Sequence, residues 1–93
     1  MTKSDLIENV SAKQSDWRKS HVEGAVNTIF NAMSEALVAG DRIEIRGLGS
    51  FQVKDRMPRI GRNPKTGDTV DIPAHKVPIF TVGKHLRSHV RAL

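Results

Sequence analysis

"GRNPKTGD", residues 61–68, decides how the rest of the chain is read. It holds two glycines, a proline, an asparagine and two cations, with no large apolar side chain. Gly, Pro and Asn are the residues that turn a backbone, each for its own steric reason. Strand-like residues flank the stretch on both sides. A tight hairpin needs only two good turn residues, so this stretch is richer in turn-formers and charge than a simple reversal requires.

Working outward, the surrounding segment Met57–Lys76 explains the excess. All four prolines, Pro58, Pro64, Pro73 and Pro78, lie in or beside it, and proline confines a strand to a sheet edge. The segment has too few large apolar residues to pack on a core. Ile60, Val70 and Ile72 nevertheless keep enough strand character for a two-stranded ribbon. The expectation is an arm that leaves the body, with 61–68 at its tip. Arg56, Arg59, Arg62, Lys65 and Lys76 lie along it and Lys54 at its root, against the acids Asp55, Asp68 and Asp71. A two-stranded ribbon fits a DNA groove, and its cations then lie near phosphates on both sides. Pro64 at the tip is an apolar wedge of the kind that slips between base pairs from the minor groove and kinks the duplex. Asn63 has the groups to bond base edges or the turn itself. The alternative reading is a solvated hairpin whose charges serve solubility.

The body is an α+β pattern. From Asp41 the apolar period is two: Ile43 and Ile45 face one way, Arg42, Glu44 and Arg46 the other. Gly47-Leu48-Gly49 turns the chain into a second strand, Ser50–Arg56, with Phe51 and Val53 inward. Val77–Val82 is a third strand, apolar on both faces. Gly83–Leu93 reads as a short basic helix burying Leu86, Val90 and Leu93. Residues 1–40 are helical. Thr2 caps a helix to about Lys13, with Asp5 completing a weak capping box and Leu6, Ile7 and Val10 in a stripe. A polar link, Gln14–Lys19, surrounds Trp17, which is expected to plug the gap between helices. A second helix starts between Asp16 and Ser20. Its apolar face runs from Val22 through Val26, Ile29, Phe30 and Met33 to Leu37, and it stops at Gly40. Gly24 within it reads as a close helix crossing.

Composition sets the class. The 93 residues make one domain. Formal net charge is +5 and the sequence pI is about 10.1, the electrostatic footprint of a nucleic-acid binder. Residues 1–44 carry net −2 and residues 45–93 net +7, with no acid beyond Asp71. That asymmetry divides the chain into an assembly half and a binding half. There is no cysteine, which excludes disulfides and thiolate metal sites. No apolar run approaches the ~20 residues of a membrane span and no signal-peptide core is present, so a cytoplasmic protein without membrane contact is expected. With the arm set aside, about seventy residues remain, a size at which folds need staples or partners. A dimer is the simplest cover for the helical faces.

Other chemistry is weaker. His85 and His89 are spaced i, i+4, but Leu86 follows His85, so the metalloprotease pattern fails. His21 and His75 add no ligand spacing, and the histidines read as surface groups. Asp68 and Asp71 on a cationic hairpin do not make a nuclease. No nucleophile–base pair stands out, so neither enzymatic activity nor a cofactor is expected. Trp17, Phe30, Phe51 and Phe80 fall at core-like positions, which argues against base-stacking on single strands.

"RGLGSF" (46–51), "GRNPKTGD" (61–68) and "VPIFTVGKHLR" (77–87), in this order and spacing, resemble the HU/integration host factor family of bacterial DNA-bending proteins. "TKSDLIE" (2–8) and "RIEIRG" (42–47) are most similar to its integration host factor beta branch. The resemblance covers essentially the whole chain. It implies an intertwined dimer with a helical base, a three-stranded antiparallel sheet and a protruding β-ribbon arm per subunit. This family is itself a known example of minor-groove β-ribbon binding. By position, the resemblance makes Pro64 the intercalating wedge, flanked by Arg62, Asn63 and Lys65. Arg56, Arg59 and Lys76 line the arm. Arg42, Arg46 and Lys84 meet the DNA backbone along the body. Lys3 and Lys84 begin helices, whose N–H groups favour phosphate. Leu48 stands where the family usually has Phe. The implied function is a nucleoid-associated architectural protein that bends double-stranded DNA, as a homodimer or with a related subunit. The alternatives are an RNA or junction binder using the same arms, and a protein-interaction module.

Overall fold

Local signals place the elements. The computed structural model describes all 93 residues, Met1–Leu93, in two compact units, Met1–Glu35 and Ala36–Leu93. In the first, α1 (Lys3–Lys13) opens on the full capping box. The Thr2 hydroxyl accepts from the Asp5 N–H at 3.2 Å, and the Asp5 carboxylate accepts from the Thr2 N–H at 2.9 Å. Helix α2 (Lys19–Val38) begins inside the expected interval. The Arg18 carbonyl accepts from the N–H groups of both His21 and Val22. Ile7, Val22 and Val26 form the buried core, with Leu6 and Val10 packed against it. The Glu8 carboxylate accepts a hydrogen bond from the Lys19 ammonium. That bond, then the carboxylate's charge, holds the ammonium above the ordinary lysine value. The pair is exposed, so it registers the packing of α1 on α2 more than it drives it.

Two sequence expectations for this unit are corrected. Trp17 is 55% exposed and so does not plug the interhelical gap. Gly24 has no atom within 4 Å of a built Cβ, so no helix crosses it closely within the chain. Residue type alone does not say which surface a second chain covers.

In the second unit, α2 closes through the Asp41 N–H, which donates to the Ala36 carbonyl at 2.9 Å. Strands β1 (Ile43–Ile45), β2 (Gly49–Arg56), β3 (Arg59–Arg62), β4 (Thr69–Ile72) and β5 (His75–Val82) follow, then α3 (Lys84–Arg91). They form one three-stranded antiparallel sheet, ordered β1-β2-β5, and one two-stranded ribbon, β3-β4. Phe51 lies opposite Phe80, with ring centroids 4.8 Å apart. This cross-strand pair anchors the inward face, where Ile43 is also opposite Phe51. Gly49, at φ 154, lets β2 pass the Thr81 carbonyl: a Cβ there would sit 2.3 Å from that oxygen.

Strand β5 begins at His75, two residues before the expected start, because the β2 ladder continues through Asp55–Lys76 and Arg56–His75. Helix α3 is shorter than expected and buries nothing fully. Val90 is 58% exposed and Leu93 wholly so, which corrects the expected buried side; Leu86 alone is half-buried.

Candidate nucleic-acid interface

The ribbon is built by pairing, not by burial. Its register sets Arg59 opposite Ile72, Gly61 opposite Val70 and Arg62 opposite Thr69. Ile60 is 73% exposed and Val70 is also exposed. No side chain of the ribbon is fully buried.

The tip, Asn63–Asp68, is fixed by its own hydrogen bonds. The Asn63 N–H donates to the Asp68 carbonyl at 2.8 Å, and the Gly67 N–H donates to the Asn63 carbonyl at 2.7 Å. The Asn63 side-chain oxygen accepts from the Lys65 N–H at 2.9 Å. This is an Asx-turn, so Asn63 shapes the tip with one side-chain group and keeps its amide N–H groups free. Gly67 takes φ 75, a left-handed backbone that a side chain would strain. Pro64 therefore stands exposed at the end of a turn braced on both sides, flanked by the exposed Arg62 and Lys65.

Arg56 ends β2 and Arg59 begins β3, and both line the concavity where the ribbon leaves the sheet, beside Met57 and Pro58. Lys76, expected along the arm, lies in β5 opposite Asp55 and meets its carboxylate at 3.2 Å. The pair is exposed, so the charge stays available to a phosphate at little cost.

A second cluster gathers on the sheet. Arg42, Arg46 and Lys84, distant in sequence, line one concavity of about 500 Å³ with Glu44 and His85. Arg42 donates to the Glu44 carboxylate at 3.2 Å. Lys84 is the first residue of α3, whose N-cap Gly83 provides no side-chain cap. The leading N–H groups of α3 thus lack a side-chain acceptor and suit an anion. Surface pairing among Arg42, Glu44 and Arg46 is an open alternative in the sequence, and the Arg42–Glu44 bond realises it; sequence reasoning missed His85 as a lining residue. Lys3 opens α1 in the other unit and is exposed. No group of three or more His, Cys, Asp or Glu side chains gathers for a metal, and no helix is long and apolar enough to cross a membrane.

A family model described as bacterial DNA-binding protein matches residues 1–91. Integration host factor subunit beta of Thioalkalivibrio sulfidiphilus is 54% identical over 93 residues, covering 100% of this chain and 97% of that protein. The same subunit from Haemophilus influenzae is 49% identical, covering 97% and 96%. Among solved structures, an Anabaena HU–DNA cocrystal superposes with a TM-score of 0.87 at 37% identity, covering 97% of both chains. HU from Thermotoga maritima gives 0.66 at 30% identity, covering 97% and 98%. With helices, sheet, ribbon and tip all inside the matched span, the chain belongs to the HU/integration host factor family of bacterial DNA-binding proteins.

Proposed function

We propose that this protein is an architectural DNA-binding protein that grips duplex DNA with its β3–β4 ribbon, enters the minor groove, and bends the duplex by inserting Pro64 between base pairs. The observation that carries the reading is an uncovered ribbon with a braced, proline-bearing tip between two cations. Proline suits a wedge because it is apolar and has no side-chain rotamers to freeze. Arg56, Arg59, Arg62 and Lys65 supply phosphate contacts along the arm. Arg42, Arg46 and Lys84 hold the duplex on the sheet, and Lys3 adds a contact at the start of α1. The chain's likeness to an HU–DNA cocrystal supports this assignment.

The working form is a dimer. Only Ile7, Val22 and Val26 are buried, while Ile29 on α2 is 57% exposed and Phe30, Val38, Phe80 and Val90 are also open. So much exposed apolar surface on so small a core calls for a second subunit. Similarity to integration host factor beta subunits favours a related, non-identical partner. Association with the nucleoid follows from duplex binding.

The test is a duplex titration at several salt concentrations, with and without Arg62→Ala/Lys65→Ala. For every phosphate no longer neutralised, the slope of log affinity against log salt becomes shallower by about 0.9. Tight binding by the unaltered protein, with a shallower slope in the double variant, is expected. No duplex binding, or an unchanged slope, contradicts the reading. Native mass measurement of the chain, alone and with DNA, checks the dimer.

A further inference from the structure

The proposed grip assigns no contact to His85 or His89, although His85 lines the concavity of Arg42, Arg46 and Lys84. The two histidines lie one turn apart on α3, with ring centroids 4.4 Å apart and ring planes tilted by 58°. Both are exposed. His75 differs, since its Nδ1 is within 2.9 Å of the Pro73 carbonyl oxygen. His21 stands apart in sequence on α2.

We infer that His85 and His89 form a two-imidazole chelate for a borderline divalent transition metal, Cu(II) above all. The spacing carries the geometry. A metal–nitrogen bond of ~2.0–2.1 Å puts each ring centre roughly 3.2 Å from the ion. Two rings at a right angle about the ion would then lie about 4.5 Å apart, and two at a tetrahedral angle about 5.2 Å. With the ring nitrogens turned to a common point, the observed separation of 4.4 Å is the right size for adjacent corners of a square or tetragonal site, the geometry of Cu(II) and Ni(II) with nitrogen ligands. Among divalent first-row ions Cu(II) binds such ligands most tightly. Hard ions are disfavoured, because Mg(II) and Ca(II) need several oxygen donors and the one carboxylate lining the concavity beside His85, that of Glu44, is paired with Arg42.

The surroundings moderate the site without removing it. Lys84, Arg87 and Arg91 share α3, and Arg42, Glu44 and Arg46 line the concavity that His85 enters. Their net charge is positive, which repels a cation. They are exposed, so the high dielectric of water weakens that repulsion and lowers the affinity without abolishing it. The two remaining equatorial positions on the metal stay open to water.

The experiment titrates Cu(II) into the full-length protein at pH 7.5, followed by calorimetry and by electron paramagnetic resonance. The expected signal is an axial spectrum with nitrogen hyperfine structure at one ion per chain. His85→Asn and His89→Asn should each weaken binding at least about ten-fold, since each turns a two-point chelate into a single contact. His21→Asn/His75→Asn should leave it unchanged. Binding that survives His85→Asn or His89→Asn, as at the chain's amino group, overturns the inference. So does loss in the His21/His75 variant.

Discussion

The hairpin that runs from β2 to β5 has two halves built from one backbone pattern and held by different forces. At its root, β2 pairs with β5 over eight residues and the Phe51–Phe80 pair packs on one face. At its far end, β3 pairs with β4 over four residues, and the apolar Ile60 lies open. Ladder hydrogen bonds serve both halves; the root adds partly buried apolar contact between Phe51 and Phe80, the latter still 45% exposed. An exposed two-stranded hairpin is marginal in water. The tip's tight turn, set by Asn63 and Gly67, therefore does for the far end what packing does for the root.

That contrast can be broken at either end. The largest effect belongs to the root. In Gly49→Ala the new Cβ meets the Thr81 carbonyl and the Phe80 ring, so a loss of about 3 kcal/mol in unfolding free energy is expected. Denaturant titration measures it. A loss below about 1 kcal/mol would mean the root is as yielding as the arm.

At the tip the same substitution should act otherwise. Gly67 is left-handed but has open space around it. Gly67→Ala should therefore strain the turn by about 1 kcal/mol and weaken duplex affinity roughly five-fold, with global unfolding almost unmoved. A large drop in melting temperature would show that the tip is coupled to the core.

A subtler change sharpens the picture between the two. Arg59→Ala should flatten the salt dependence of duplex binding by about one phosphate, a slope change of roughly 0.9, and leave stability unchanged. The slope is read from titrations at four or more salt concentrations. An unaltered slope would remove Arg59 from the phosphate contacts.

Much of this organisation is legible in the residues because it is local. The Thr2–Asp5 capping box, the period-two run from Ile43 to Ile45 and the turn-formers of 61–68 each report on near neighbours in sequence. The ribbon's existence follows from prolines and a shortage of core-forming side chains. Trp17, Val90 and Leu93 mislead because burial is set by whatever packs against them, and nothing within the chain does. The register that places Lys76 opposite Asp55 is hidden for a related reason. Prolines suggest that the sheet ends before residue 77, yet the ladder runs two residues further. The meeting of Arg42 and Arg46 with Lys84 joins the first strand of the unit to its last helix, and no short-range pattern encodes it.

The central claim is that Pro64, braced at the end of the ribbon, bends the duplex. Fluorescence resonance energy transfer between the labelled ends of a bound duplex measures this directly, comparing the protein with Pro64→Ala at saturating concentration. Strong end-to-end transfer is expected with the unaltered protein and markedly weaker transfer with the variant, while affinity falls much less. Equal transfer from the two proteins on a fully bound duplex would contradict it.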